Sequence, residues 1–118
     1  VRASAKGHGR NNHIEGKLTA GMKTVVIEDL ISTGGSVLDA VDVLRGAGAD
    51  VVGVASIFTY NMNISFKRLS AAGVKNISLT DFDTIVDTAI ELGYIKPEDV
   101  KKLIAFRDNP ADEGWINI

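Results

Sequence analysis

The chain has 118 residues, is 45% hydrophobic and 24% charged, and carries a formal net charge of -2. That length fits one domain over residues 1–118, the balance excludes a disordered or fibrous class, and the slight negative charge excludes the broad attraction a general nucleic-acid binder uses. The absence of cysteine excludes a disulfide framework and a thiolate zinc site and suits a cytoplasmic location.

Along the chain, the first dozen residues are rich in Gly, Ser, Asn and charge, a composition expected of a loop. Val1 stands where an initiator methionine would, no signal-peptide core follows, and the start reads as a segment of a longer chain. Ile14 to Leu18 alternates apolar and polar and predicts a short strand, turned at Thr19-Ala20-Gly21 into a second strand from Lys23 to Leu30. Its Val25-Val26-Ile27 run is of the kind buried on both faces of a parallel sheet. Ser36 is expected to cap a helix with Val37, Leu38, Val41 and Leu44 at helical spacing, ended by Gly46 and Gly48.

Asp50 to Thr59 predicts the next strand, whose apolar stretch is too short to cross a bilayer, so no membrane partner is expected. Ile64 to Ala72 predicts an amphipathic helix with Phe66 and Leu69 inward and Lys67 and Arg68 outward. Val74 to Leu79 predicts a third core strand. Helices follow from Phe82 to Leu92 and from Pro97 to about Phe106, with a contact face formed by Tyr94, Ile95, Val100, Leu103 and Ile104, and the tail from Arg107 shows no clear element. Alternating strands and helices of this kind define an α/β fold, a parallel sheet flanked by helices.

The chemistry concentrates where the Lys23 to Leu30 strand gives way to the following helix. Ser32, Thr33 and Ser36 offer hydroxyls, Gly34 and Gly35 let backbone N–H groups approach a ligand, and the helix start adds a partial positive charge. Such a junction at the carboxyl end of a strand suits a phosphate monoester. Glu28 and Asp29 would repel that phosphate if they faced it, so sugar hydroxyls, or positive charge developing at an anomeric carbon, are their natural partners. Neither the Walker loop nor the Rossmann glycine fingerprint matches, because no Gly-Lys-Ser/Thr follows and the acids precede the glycines. On spacing alone, a plain turn and helix cap with exposed acids stays open.

Val25 to Ser36, an apolar strand, two acids and a Ser/Thr-Gly-Gly loop, resembles the phosphoribosyl pyrophosphate signature of type I phosphoribosyltransferases. Upstream, Arg2, Lys6, His8 and Gly9 resemble the Lys-x-His-Gly loop of the orotate phosphoribosyltransferases. The resemblance implies the type I phosphoribosyltransferase fold with its N-terminal portion absent. It also implies transfer of ribose 5-phosphate from phosphoribosyl pyrophosphate to orotate, giving orotidine 5'-monophosphate and pyrophosphate in pyrimidine biosynthesis, with Mg2+ as cofactor.

Carried over by position, the resemblance makes Lys6, His8 and Asp29 catalytic. It assigns phosphoribosyl pyrophosphate to Arg2, Lys6, His8, Glu28, Asp29, Leu30, Ile31, Ser32, Thr33, Gly34, Gly35 and Ser36, and orotate to Ser32, with no protein ligand set for the metal. Family members pair as homodimers that share the basic loop across subunits. The roles fit the charge flow, since pyrophosphate departure leaves an oxocarbenium-like ribose and a polyanion that Arg2 and Lys6 can stabilise, while His8 can donate a proton. His13 reads as a surface residue.

Two positions depart from the pattern, Ala3 where many members have a second loop cation, and Tyr60 where many have an arginine that reads the orotate carboxylate. The family's N-terminal portion supplies a hood, another strand, a further lysine and part of the orotate pocket, so the isolated chain is expected to show little turnover. The alternatives are a phosphoribosyl pyrophosphate-sensing regulator of the same fold, a purine-specific transferase, and a flavodoxin-like domain that binds a flavin phosphate.

Overall fold

The structure is a computed structural model that describes Val1, Arg2 and residues 13–118. Lys6 and His8 lie outside the described residues. Strand β1 (Lys23–Ile31) leads to helix α1 (Gly35–Gly46), β2 (Asp50–Thr59), α2 (Asn63–Ala71), β3 (Asn76–Asp81) and α3 (Phe82–Glu91). A 3-10 turn over Pro97–Asp99 opens α4 (Val100–Asp108), and a second covers Glu113–Asn117.

The three strands form one parallel sheet in the order β1-β2-β3. Ile31, Thr59 and Asp81 share a register row at its carboxyl edge, so the segments that follow all three strands emerge side by side. The sheet owes its formation to β-branched runs, and the α1 crossover is fixed by Val37 and Val41, one turn apart and both fully buried. With Val26, Ile31, Val51, Val54, Leu69 and Val74 they form the core between the sheet and helices α1 and α2. Gly48, with φ of 90°, turns the chain from α1 into β2, and its N–H donates to the Arg45 carbonyl at 3.0 Å.

Burial on both sheet faces is not what the structure has. Both crossover helices pack against the Val26 and Val54 side, as right-handed connections between neighbouring parallel strands dictate. On the other side Ile27, Ala55 and Ile77 make one register row, and Ile27 and Leu79 are 74% and 83% exposed. The apolar sequence therefore specifies a second layer that no described residue supplies.

Other boundaries move for local reasons. Ile14 to Leu18 is not a strand, having no described neighbour to pair with. Helix α1 starts on Gly34, not on Ser36, because Gly34 adopts the left-handed conformation (φ 86°) and its carbonyl accepts from the Leu38 N–H at 3.2 Å. In α2 the inward position is Ser65, 1% exposed with its Oγ donating to the Met62 carbonyl at 2.7 Å, while Phe66 faces out.

β3 begins at Asn76 because Val74 is used to close α2, its N–H donating to the Leu69 carbonyl at 2.9 Å. Beyond α3, Tyr94 is exposed, whereas Ile95, Leu103, Phe106 and Trp115 line an apolar groove. Trp115 packs edge-on against Phe106 with ring centroids 5.3 Å apart.

Candidate functional site

The carboxyl edge of the sheet is built from three junctions. At the first, β1 ends at Ile31 and the backbone passes through exposed Ser32 and Thr33 to Gly34, whose positive φ turns it into α1. No side chain caps this helix and its first turn holds no acid, so the N–H groups at its start keep their positive potential for an external anion. Space behind the loop is closed by α2. A Cβ on Gly34 would stand 3.5 Å from the Ser65 Cα, and one on Gly35 would stand 3.6 Å from Nη1 of Arg68.

The two acids before the loop have separate surroundings. Glu28 lines a cleft of about 450 Å3 together with Arg2, His13, Ser36 and Asp39. Asp29 is exposed, and its Oδ1 accepts from the N–H of Leu30 at 2.7 Å. Leu30 is exposed and Ile31 buried, so Leu30 belongs to the site rim and Ile31 to the packing beneath it. Adjacent strand residues project to opposite sides, which lets the pair address two different groups of one ligand. Arg2 reaches the Glu28 cleft, but its Nη2 is paired with Oε1 of Glu15 at 2.7 Å. His13 is half-buried, with Nδ1 3.2 Å from the Arg2 carbonyl.

Desolvation, and secondarily the charge of Asp29, raise the Glu28 carboxyl above its ordinary value of 4.5. With the folded value above the unfolded one, the unfolded chain loses this proton first as pH rises. Glu28 therefore favours folding most below pH about 4.5, and that contribution disappears as pH climbs through the raised value. We expect Glu28→Gln to flatten the decline in stability as pH rises above about 4.5, measured by urea denaturation at each pH. A carbon-detected NMR titration placing Glu28 at or below the ordinary value would contradict this.

At the second and third junctions, Tyr60 and Asn61 follow β2 while Asp81 caps α3. The N–H of Thr84 donates to Oδ1 of Asp81 at 2.8 Å, and this bond is the main reason the Asp81 carboxyl lies below its ordinary value. Asn61 takes a positive φ of 55° and its Nδ2 donates to Oδ2 of Asp83 at 2.9 Å. Tyr60, the position that departs from the family pattern, packs edge-on against Phe58 and tilted against Phe82 at centroid distances of 5.0 and 5.8 Å.

Two arginines without a site role in the sequence pattern reach these junctions. Arg68, read as a helix-surface charge, instead reaches the loop, with Nη1 donating to the Thr33 carbonyl at 3.3 Å. It lies three residues from Ser65, on the α2 face toward the loop, but the sequence pattern marks Phe66 and Leu69 as the inward positions and so does not point to that face. Arg107, from the tail without a predicted element, reaches the Tyr60 carbonyl at 3.4 Å, and nothing in its local sequence announces that contact.

A three-stranded parallel sheet whose first strand ends in two acids and feeds an uncapped helix through a Ser/Thr-Gly-Gly loop defines an α/β protein with its candidate site at the carboxyl edge. The phosphoribosyl transferase domain family matches residues 4–91, and the chain belongs to that family.

The orotate phosphoribosyltransferase of Bacillus cytotoxicus is 52% identical over 116 residues, which is 98% of this chain and 55% of that protein. The chain thus spans about half the length of the curated relatives it matches. Among solved structures, a phosphoribosyltransferase from Corynebacterium diphtheriae superposes with a TM-score of 0.60 at 40% identity, over 69% of this chain and 46% of that one. The orotate phosphoribosyltransferase of Mycobacterium tuberculosis H37Rv, in complex with 5-phospho-alpha-D-ribosyl 1-diphosphate, gives a TM-score of 0.52 at 31% identity, over 57% and 41%. These matches agree with the fold and family expected from the sequence.

Proposed function

We propose that this chain is the ribose-phosphate-binding part of an enzyme that joins orotate to phosphoribosyl pyrophosphate, yielding orotidine 5'-monophosphate and pyrophosphate in pyrimidine biosynthesis. The observation that carries the reading is the junction of Glu28-Asp29 with the uncapped α1 start through Ser32 to Ser36. The name shared by relatives at half identity favours orotate over a purine base.

In this reading the backbone N–H groups from Ser32 to Ser36 and the hydroxyls of Ser32, Thr33 and Ser36 hold the 5-phosphate. Leu30 and Ile31 set the strand end that leads into them, and Ser32 also borders the orotate side. Glu28 and Asp29 accept from ribose hydroxyls, and Asp29, the more exposed of the two, stabilises the positive charge that grows at the anomeric carbon as the bond to pyrophosphate lengthens. Lys6 and His8 meet the charge on departing pyrophosphate. Arg2 joins them once it exchanges Glu15 for the stronger anion, an exchange open to it because the Glu15 side chain is 66% exposed.

Among the described residues no three His, Asp or Glu side chains converge on a metal position. Glu28 and Asp29, at the strand end, are hard oxygen donors that suit Mg2+ held mainly by substrate oxygens and water. When bound, Mg2+ would neutralise charge on the pyrophosphate. The proposal includes a single domain over residues 1–118, a cytoplasmic enzyme, and a homodimer that shares the basic loop. Among the described residues no helix is long and apolar enough to cross a membrane.

The test is calorimetric titration of the chain with phosphoribosyl pyrophosphate and Mg2+, beside Asp29→Asn. Saturable binding, weakened roughly ten- to a hundredfold by the loss of charge-assisted hydrogen bonds, is the expected result. A folded chain that takes up no ligand, or an Asp29→Asn variant that binds as the parent does, would sink the proposal.

A further inference from the structure

We propose that Arg68 belongs to the 5-phosphate subsite, where it fixes the Thr33–Gly34 peptide and supplies the full positive charge for a phosphate monoester dianion. This rests on the ribose-phosphate reading and adds a residue to it from outside the signature.

Geometry comes first. Nη1 of Arg68 donates to the Thr33 carbonyl at 3.3 Å. In a trans peptide the C=O and the next N–H point in opposite directions, so tying the Thr33 carbonyl toward α2 aims the Gly34 N–H away from α2, to the open side of the loop. Ser65, one turn earlier on α2, fills the space behind Gly34. One helix therefore braces two consecutive loop residues.

Charge is the second observation. Arg68 takes part in no ion pair among the described residues, and α2, Asn-Ile-Ser-Phe-Lys-Arg-Leu-Ser-Ala, contains no acid. A guanidinium has five donors in a planar fork, and the bond to Thr33 is the one hydrogen bond it makes among the described residues. Nη1 itself stands beside Gly35, 3.6 Å from where its Cβ would be, and it carries a second N–H besides the one given to Thr33. Loop amides and a helix start offer only partial charges, whereas Arg68 brings a whole one to a ligand that carries close to two.

Arg68→Gln, which keeps an N–H donor but removes the charge, and Arg68→Lys, which keeps the charge but loses the fork, separate the two contributions. The chain and both variants are titrated with ribose 5-phosphate and, separately, with inorganic pyrophosphate at low and high salt. We expect ribose 5-phosphate to bind the Gln variant about tenfold more weakly and with a flatter salt dependence. The Lys variant should fall between parent and Gln and retain the salt dependence of the parent. Pyrophosphate affinity should be unchanged in both, and thermal melts should coincide within about 2 °C because the side chain is exposed.

A Gln variant that equals the parent in affinity and salt dependence overturns the role of Arg68 while leaving the cradle intact. Equal losses for both ligands also overturn it, because the effect is then not local to the 5-phosphate. If the parent chain fails to bind ribose 5-phosphate, the cradle reading itself fails and the assignment of Arg68 falls with it.

Discussion

Replacing Gly34 with valine is expected to abolish ribose 5-phosphate binding, a loss of at least about a hundredfold, while leaving the sheet folded. Gly34 holds φ at 86°, a conformation that costs an ordinary L-residue roughly 1–2 kcal/mol and a β-branched one more. Space adds to the strain. A bare Cβ at Gly34 would meet the Ser65 Cα at 3.5 Å, an ordinary contact, but the γ-methyls of valine would extend further toward Ser65, whose side chain is fully buried. The loop can escape only by turning Gly34 out of the left-handed region, and that rotates the neighbouring N–H groups away from the ligand.

Gly34→Ala, which meets the backbone cost without the added bulk, should lie between valine and the parent. Calorimetry with ribose 5-phosphate and a thermal melt measure the two quantities separately. A valine variant that binds within twofold of the parent would show that the loop amides do not hold the phosphate.

That the junction of β1 and α1 could be seen in the sequence follows from how local it is. Strand, acids, hydroxyls, glycines and helix lie within Lys23 to Gly46, and each is encoded by its immediate neighbours through β-branching, a positive φ and helical spacing. The order of alternating elements likewise constrained the sheet, because parallel strands joined by single helices leave few topologies.

What stayed hidden depends on residues far apart in the chain. Arg68 and Thr33 are 35 positions apart, and no periodicity tells a surface cation from one that bends toward a loop. The exchange of Phe66 for Ser65 at the buried position has the same origin, since only the close approach of Gly34 makes a small side chain the better fit there. Apolar patterning promised two covered sheet faces and the described residues cover one, because pattern records what a strand can bury and not where the covering atoms come from. Arg2 is a further case, since its charge could be read from the sequence but its pairing with Glu15 could not.

The second large effect is expected at Arg107, whose side chain is only 12% exposed although it lies near the end of the chain. Its Nη1 is 3.2 Å from Oδ2 of Asp83 and 3.4 Å from the Tyr60 carbonyl, and its Nε donates to Oδ1 of Asp108 at 2.6 Å. The guanidinium also lies 5.6 Å from the centroid of the Phe82 ring. The main packing partners of α4 are the short turns at Pro97–Asp99 and Glu113–Asn117, so Arg107 is a principal tie between the C-terminal segment and the carboxyl edge of the sheet. Arg107→Ala removes a cation–π contact of about 0.5–1 kcal/mol and charge-assisted hydrogen bonds of about 1.5–3 kcal/mol. Because the Asp83 side chain is half exposed, water recovers part of that loss, and about 2 kcal/mol is the expected net destabilisation.

The loss should be regional. Hydrogen exchange should quicken over α4 and the last turn and stay unchanged in β1 and β2, and the emission of Trp115, the single tryptophan, should shift as its contact with Phe106 loosens. Arg107→Lys keeps the cation without the planar fork and should recover less than half of the effect. Unchanged exchange and emission in Arg107→Ala would mean that the apolar groove of Ile95, Leu103, Phe106 and Trp115 holds the segment without it.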